Sequence, residues 1–234
     1  MTDLKTFHSL STTTQLFTCD ATSMYTNIDT SYAIHIISEY INSNQHLLKT
    51  IGIHNDIFIC ALRMVMIHNV FCFGDTYWIQ LSGTAMGASP APMYATIYFA
   101  ILEQQIIPLF PECVYYHRFI DDGVGIWNDF AGETSSQTST CWPKFQMKFK
   151  SISKLDWTFS SHTRTIDFLD VNITLNDDGH VSTRIFEKAL NLHLYLPPHS
   201  CHPPGVLKGI IRGMMLQFHR LSSSEKFAQS DVNQ

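Results

Sequence analysis

The chain has 234 residues, of which 45% are hydrophobic and 15% charged, and a formal net charge of −5. That balance excludes a disordered polar chain and is long enough to bury a substantial core. No apolar run reaches the roughly 20 residues that span a bilayer, and MTDLKTFHSL lacks the basic start and apolar centre of a secretory signal.

QLFTCD (15–20) reads as a short buried strand that ends on an acid. SYAIHIISEYIN (31–42) carries Ile34, Ile37 and Ile41 at helical spacing. A second helix is predicted over 55–68, with Asn55 and Asp56 as its cap. NVFCFGDTYWIQ (69–80) reads as a hairpin turning at Gly74-Asp75, with Phe71, Phe73, Tyr77 and Trp78 expected as cross-strand core and stacking on bases as the alternative. The loop SGTAMGASPAP then leads to a helix over about 93–106. CVYYHRFIDDGVGIWND (113–129) is a second hairpin, rich in strand-forming residues, with two aspartates at its tip. A helix over about 141–151 follows, then strands at 156–160, 166–175 and 181–186, with a turn at Asn176–Gly179. LPPHSCHPPG precedes a last helix over about 205–223. This order implies an α+β fold: an antiparallel sheet backed by helices, with a helical C-terminal appendage.

The cysteines (Cys19, Cys60, Cys72, Cys113, Cys141, Cys201) are scattered without a C-x-x-C pair, which fits reduced thiols. Net acidity weighs against a nucleic-acid partner, but the charge is uneven. Only Lys5, Lys49 and Arg63 among the 15 basic residues precede Arg118. Basic patches in the second half can hold a phosphate backbone while the whole chain stays acidic.

Asp121 and Asp122 in HRFIDDGVGIW, with Asp20 in LFTCDATSMYTNI, stand among strand-forming residues. An acidic pair before glycine also suits a plain solvated turn. Apolar flanks on both sides and the matching Asp20 favour a site instead, because buried carboxylates need a compensating cation. Two Mg²⁺ (or Mn²⁺) ions held by shared carboxylates are the usual polymerase device for in-line phosphoryl transfer. The backbone carbonyl of Ala21 is a candidate further ligand. Gly83-Thr84-Ala85-Met86-Gly87 opens a helix with small residues that admit a close ligand, or simply pack tightly. Tyr25 is placed to exclude a ribose 2′-hydroxyl, or to fill a core. Lys154 is a candidate proton donor to pyrophosphate, or a surface lysine. His193, His199, Cys201 and His202 match no structural zinc spacing.

Several strings together resemble the reverse transcriptase of Penelope-like retroelements. DATSMYTNI (20–28) is similar to that family's D-x-x-S-L-Y-T-N-I block, with Met24 for leucine. NVFCFGDTYWIQLSGTAMG (69–87) resembles its N-x-F-x-F…Y-x-Q-x-x-G-T-A-M-G stretch, and Ala91, Pro92, Tyr94 and Ala95 continue it. RFIDDGVGIW stands where the family has R-Y-x-D-D, FLDVNI where it has F-L-D-V, and 185–211 resembles its segment beyond the palm.

The resemblance implies a right-hand polymerase palm over 1–187 and a thumb-like segment over 188–234. It implies Asp20, Asp121 and Asp122 as catalytic acids, with Asp20, Ala21, Asp121 and Asp122 as metal ligands. Tyr25, Gln80, Gly83, Thr84, Met86 and Gly87 would bind nucleotide, and Phe168, Leu169, Asp170 and Val171 would contact the primer. Implied partners are an RNA template, a DNA primer and a deoxynucleotide, with no membrane, in the nucleus. The family's fingers have no counterpart in the 19 residues before Asp20, and no GIY…YIG endonuclease pattern follows, so the chain reads as a fragment or truncated copy. Gly123 and Gly125 are expected to loosen a strand that is usually bulkier. A non-catalytic remnant and a telomerase-type subunit remain as alternatives.

Overall fold

The computed structural model describes residues 10, 13–128, 138–186, 196, 201–203 and 205–223, with 138–140 described for their backbone. The chain divides into two compact units that interleave in sequence. One holds 19–123 and 130–160; the other holds 1–18, 124–129 and 161–234.

The unit of 19–123 and 130–160 begins within β1 (Thr14–Ala21), whose end pairs antiparallel with β6 (Trp157–Phe159) at Cys19–Phe159, Asp20–Thr158 and Ala21–Trp157. β4 (Cys113–Phe119) and β5 (Asp122–Asn128) complete a four-stranded sheet in the order β4-β5-β1-β6. After β1 comes a single helical turn, α1 (Met24–Asn27), then α2 (Thr30–Ser43). Asp29 caps α2, its carboxylate accepting from the Tyr32 N–H at 3.0 Å. Ala33, Ile34, Ile37 and Ile41 make its buried stripe, the spacing read from sequence. A short α3 (His46–Lys49) was not foreseen; it is too brief for periodicity to register.

α4 (Asn55–Ile67) lies where expected, but its cap is His54, whose ring accepts from the Asp56 N–H, rather than Asn55 or Asp56. β2 (Val70–Phe73) and β3 (Thr76–Ile79) form the foreseen hairpin, with Gly74 at φ +61° in its turn. The aromatics expected there as core are exposed instead: Phe73 and Tyr77 keep 77% and 79% of their surface. A two-stranded ribbon buries side chains only when something covers a face. Among the described residues, nothing covers either face enough to bury one of its side chains.

The core lies between the sheet and two helices, α5 (Ala91–Ile106) and α6 (Thr138–Ser153). Tyr94, Tyr98, Phe99 and Leu102 on α5 are buried, and Phe145 and Phe149 on α6 are fully so. Phe149 meets the rings of Tyr116, Phe145, Trp157 and Phe159 at centroid distances of 4.8–6.0 Å. Such tilted and edge-on pairs suit the ring quadrupoles. Trp157 also donates its indole N–H to Ser153 Oγ at 2.9 Å, so its polar end is satisfied.

In the other unit, the sequence 166–175 is not one strand. It breaks into β7 (Thr165–Phe168) and β8 (Val171–Leu175), with Leu169 at φ +53° in a tight turn. The apolar alternation changes phase at the turn, from Ile166 and Phe168 before it to Val171, Ile173 and Leu175 after it. β9 (Val181–Ile185) pairs with β8 across the foreseen turn at Asn176–Gly179. Trp127 is fully buried, stacked on His162 at 5.9 Å and edge-on to Phe17 at 6.5 Å. α7 (Val206–Leu221) buries Phe218 and is tied to β9, where Thr183 Oγ1 donates to the Leu221 carbonyl at 2.6 Å. No helix among the described residues is long and apolar enough to cross a membrane.

Phe149 should be a main contributor to stability. Urea unfolding of Phe149→Ala is expected to show a loss of about 3–5 kcal/mol, and a loss under ~1 kcal/mol would refute this account of the core.

Candidate active site at the β4–β5 turn

β4 and β5 are joined by Ile120-Asp121, which places Asp121 at the turn and Asp122 at the start of β5. The end of β1 is bound to this turn by a hydrogen bond from the Ala21 N–H to the Asp121 carbonyl at 3.1 Å. Asp20, 101 positions earlier in sequence, is thereby set beside Asp121. Asp20 is exposed, not buried as its apolar flanks predict, because it stands at a strand end. The burial it retains raises its carboxyl above the ordinary value, and the negative charge of Asp121 raises it further. Tyr25 stands in the same field. Burial raises its phenol first and Asp121 second. Asp20, Ala21, Tyr25 and Asp121 therefore form one group, with Asp122 half-buried next to them in sequence.

The loop after β3 is fastened to this group. Gly83 has φ +74°, and a Cβ there would lie 2.6 Å from the Thr26 carbonyl oxygen and 2.8 Å from that of Tyr25. The Thr84 N–H donates to the Tyr25 carbonyl at 2.6 Å, and Thr30 Oγ1 donates to the Gly83 carbonyl at 2.9 Å. Thr84 is buried, and its hydroxyl has no hydrogen-bond partner among the described residues. Met86 and Gly87 are exposed, with open space around Gly87. Gln80 is half-buried and is held by bonds to Asn69 and Ser82. Close approach thus belongs to Gly83, whereas a Cβ at Gly87 would meet nothing within 4 Å among the described residues.

Phe168, Leu169, Asp170 and Val171 form the β7–β8 turn in the other unit, where Phe168 and Val171 are buried. Lys154 follows α6 with φ +55°, its ammonium 3.9 Å from the centre of the Tyr32 ring. His193 and His199 lie outside the described residues. Cys201 and His202 are exposed.

Two features escaped the sequence reading. Ile120, a β-branched residue, has φ +57°, a strained conformation of the kind that gathers at functional sites. Beneath it, Glu103 and Arg118 form a buried ion pair, their side chains 14% and 3% exposed. Burial pushes the Glu103 carboxyl up, against the hydrogen bond and charge of Arg118. The signal was present: two charged residues at otherwise apolar positions of a helix and a strand. Gly123 has a packing role as well, since a Cβ there would fall 2.5 Å from Cys19 Sγ and 2.9 Å from the Tyr116 hydroxyl. With no side chain there, Cys19 and Tyr116 from the two flanking strands meet across β5. Burial pushes the Cys19 thiol up to about 12, so it packs as a neutral group.

Among the described residues, no three His, Cys, Asp or Glu side chains gather closely enough to hold an ion by themselves. The donor set nonetheless fits a hard divalent cation. The negative charge of Asp121 raises the Asp20 carboxyl, a repulsion that positive charge would relieve, and oxygen ligands suit Mg²⁺.

Comparison with solved structures gives this arrangement a setting. The telomerase of Candida albicans, in complex with the TWJ fragment of telomeric RNA, superposes with a TM-score of 0.58 at 10% identity. That match covers 88% of this chain and 34% of the telomerase. An apo telomerase of Candida tropicalis truncated from its C-terminal domain gives 0.53 at 10% identity, covering 72% and 35%. The RNA-dependent RNA polymerase of BmCPV at its elongation state gives 0.54 at 11% identity, covering 90% and 19%. The fold is that of a polymerase palm. The chain spans about a third of the telomerase chains it resembles. Residues 194–232 of the palm-bearing chain match the animal helix-turn-helix domain, a stretch that includes α7. No curated protein matches the chain in sequence.

Gly83→Ala should cost roughly 3 kcal/mol or more, combining a positive φ with backbone overlap. Gly74→Ala has a similar φ but nothing within 4 Å, and should cost only about 1–2 kcal/mol. Equal losses in thermal unfolding would refute the docking of the loop on α1. Asp20 supplies a pH test. A carboxyl raised on folding adds stability below its ordinary range and costs stability as pH rises through its folded value. Asp20→Asn should therefore be more stable than the parent at pH 7, with the difference closing toward about pH 4 and below. A less stable variant at pH 7 in urea titrations would contradict the repulsion.

Proposed function

We propose that the chain is the palm of an RNA-directed DNA polymerase from a retroelement similar to the Penelope-like elements. It would join a deoxynucleotide to a primer 3′-hydroxyl on an RNA template. The observation that carries this reading is the bond from Ala21 to Asp121, which sets Asp20 and Asp121 side by side at strand ends. A polymerase fold and the ordered series of motifs support it.

On this reading Asp20 and Asp121, with Asp122 and the Ala21 carbonyl, would hold two Mg²⁺ (or Mn²⁺) ions. Bound there, such ions would lower the pKa of the primer hydroxyl and offset the charge on the departing pyrophosphate. The O3′–Pα bond forms as the bond to pyrophosphate breaks, and the hydroxyl proton is released. The chain's own part is orientation and charge placement. Tyr25, beside Asp121, would crowd a ribose 2′-hydroxyl and so favour deoxynucleotides. The exposed Met86 and Gly87, with Gln80, Gly83 and Thr84, would lie along the nucleotide and template. Phe168–Val171 would contact the primer end, and residues 188–234 would serve as a thumb-like segment. The Candida albicans telomerase is solved with telomeric RNA, which supports an RNA partner here. Work on chromosomal DNA would place the protein in the nucleus.

The net charge of −5 favours a second reading, a folded remnant without catalysis that binds nucleic acid weakly at most. Primer extension on an RNA template with Mg²⁺ or Mn²⁺ separates the two. Asp121→Asn should reduce incorporation on the order of a thousandfold. Equal incorporation by parent and variant would defeat the polymerase assignment, and no incorporation even with a fingers segment supplied would favour the remnant.

A further inference from the structure

Both acids of the candidate site are anchored through one buried chain of side chains. Cys19, which precedes Asp20, has its sulfur 3.8 Å from the Tyr116 hydroxyl. That hydroxyl donates to Glu103 Oε1 at 3.1 Å. Glu103 receives the Arg118 fork at both oxygens, with Nη2 to Oε2 at 3.2 Å. Arg118 then donates from Nη1 to the Ile120 carbonyl at 2.6 Å, at the peptide that joins Ile120 to Asp121. It donates as well to the Thr96 carbonyl at 3.2 Å and lies 5.1 Å from the Phe99 ring centre.

The donors of this guanidinium are thus divided between a carboxylate and the backbone of the strained turn. A buried pair whose only task was to join α5 to β4 would have no need of the second set. A planar fork can serve both at once, whereas an ammonium is a single point of charge. Ile120 at φ +57° persists only where its surroundings over-determine it, and the hydrogen bond to its carbonyl supplies that constraint.

We propose that Arg118 is a positioning residue. Held by Glu103, which Tyr116 braces in turn, it fixes the Ile120 peptide in its strained orientation and so aims Asp121 toward Asp20. Its consequence for metal binding rests on the polymerase reading, but its hold on the turn does not.

The experiment uses the full chain and the double variant Arg118→Met/Glu103→Met, which removes both charges at similar volume and leaves neither partner alone. Hydrogen exchange is followed by peptide, and Mn²⁺ binding by electron paramagnetic resonance. Exchange is expected to accelerate on the order of tenfold at Ala21 and residues 120–123, with α6 unchanged, and Mn²⁺ affinity to fall by a similar factor. Unchanged exchange at the turn overturns the proposal. So does faster exchange with unchanged Mn²⁺ affinity, since the turn would then not aim the acids. Should the double variant fail to fold, Arg118→Lys keeps the charge opposite Glu103 without the fork. It must loosen the same residues, and a lysine chain identical to the parent sinks the idea. If the parent binds no Mn²⁺ that Asp121→Asn removes, the polymerase reading fails, while the exchange data still decide whether Arg118 holds the turn.

Discussion

The hydrogen bond from the Ala21 N–H to the Asp121 carbonyl is the contact on which the candidate site depends. It fastens the end of one strand to the turn between two others, and it puts two carboxylates next to each other. Like charges in proximity oppose folding, so the arrangement stands only because the layers beneath are well filled. Phe99, Phe145, Phe149 and Trp157 form those layers, each at most a few per cent exposed. The stability comes from the aromatic interior and is partly consumed at the surface, where the acids meet.

Backbone freedom is used sparingly around the acids, at places where a side chain would collide. Gly83 lets the loop after β3 lie against the carbonyls of Tyr25 and Thr26. Gly123 lets the side chains of Cys19 and Tyr116, on the strands flanking β5, meet over it. Ile120 takes the opposite course. It holds a glycine-like conformation with a branched side chain, and the Arg118 bond to its carbonyl keeps it there. Space is made at Gly83 and Gly123, and strain is retained at Ile120.

The β2–β3 ribbon contrasts with this interior. Its pairing is regular, from Val70–Ile79 to Phe73–Thr76, and yet every residue in it is exposed. α4 is similar, with Met66 its buried residue and Ile57 and Met64 exposed. Aromatic content predicted core at the ribbon because strand pattern and burial usually travel together. They separate when a ribbon has no layer against it. Composition reports what a residue could bury, and only a neighbour decides whether it does.

Local order was legible from the sequence because it follows from short-range periodicity and turn chemistry. The stripe of Ile34, Ile37 and Ile41, the Gly74-Asp75 turn and the strand ending at Asp20 each depend on residues a few positions apart. The acids themselves stood out as carboxylates among strand-forming residues, although Asp20 is exposed and Asp121 and Asp122 are half-buried. Their adjacency, the break at Leu169, the contact of Gly83 with α1 and the choice of Glu103 as the partner of Arg118 were settled by tertiary structure alone. Each joins segments whose separation along the chain carries no periodic signal, or turns on a single dihedral that the residue type does not announce. A sequence names the groups able to react. Which of them share a turn, and what holds that turn in place, is decided when distant strands pair and the space between them is filled.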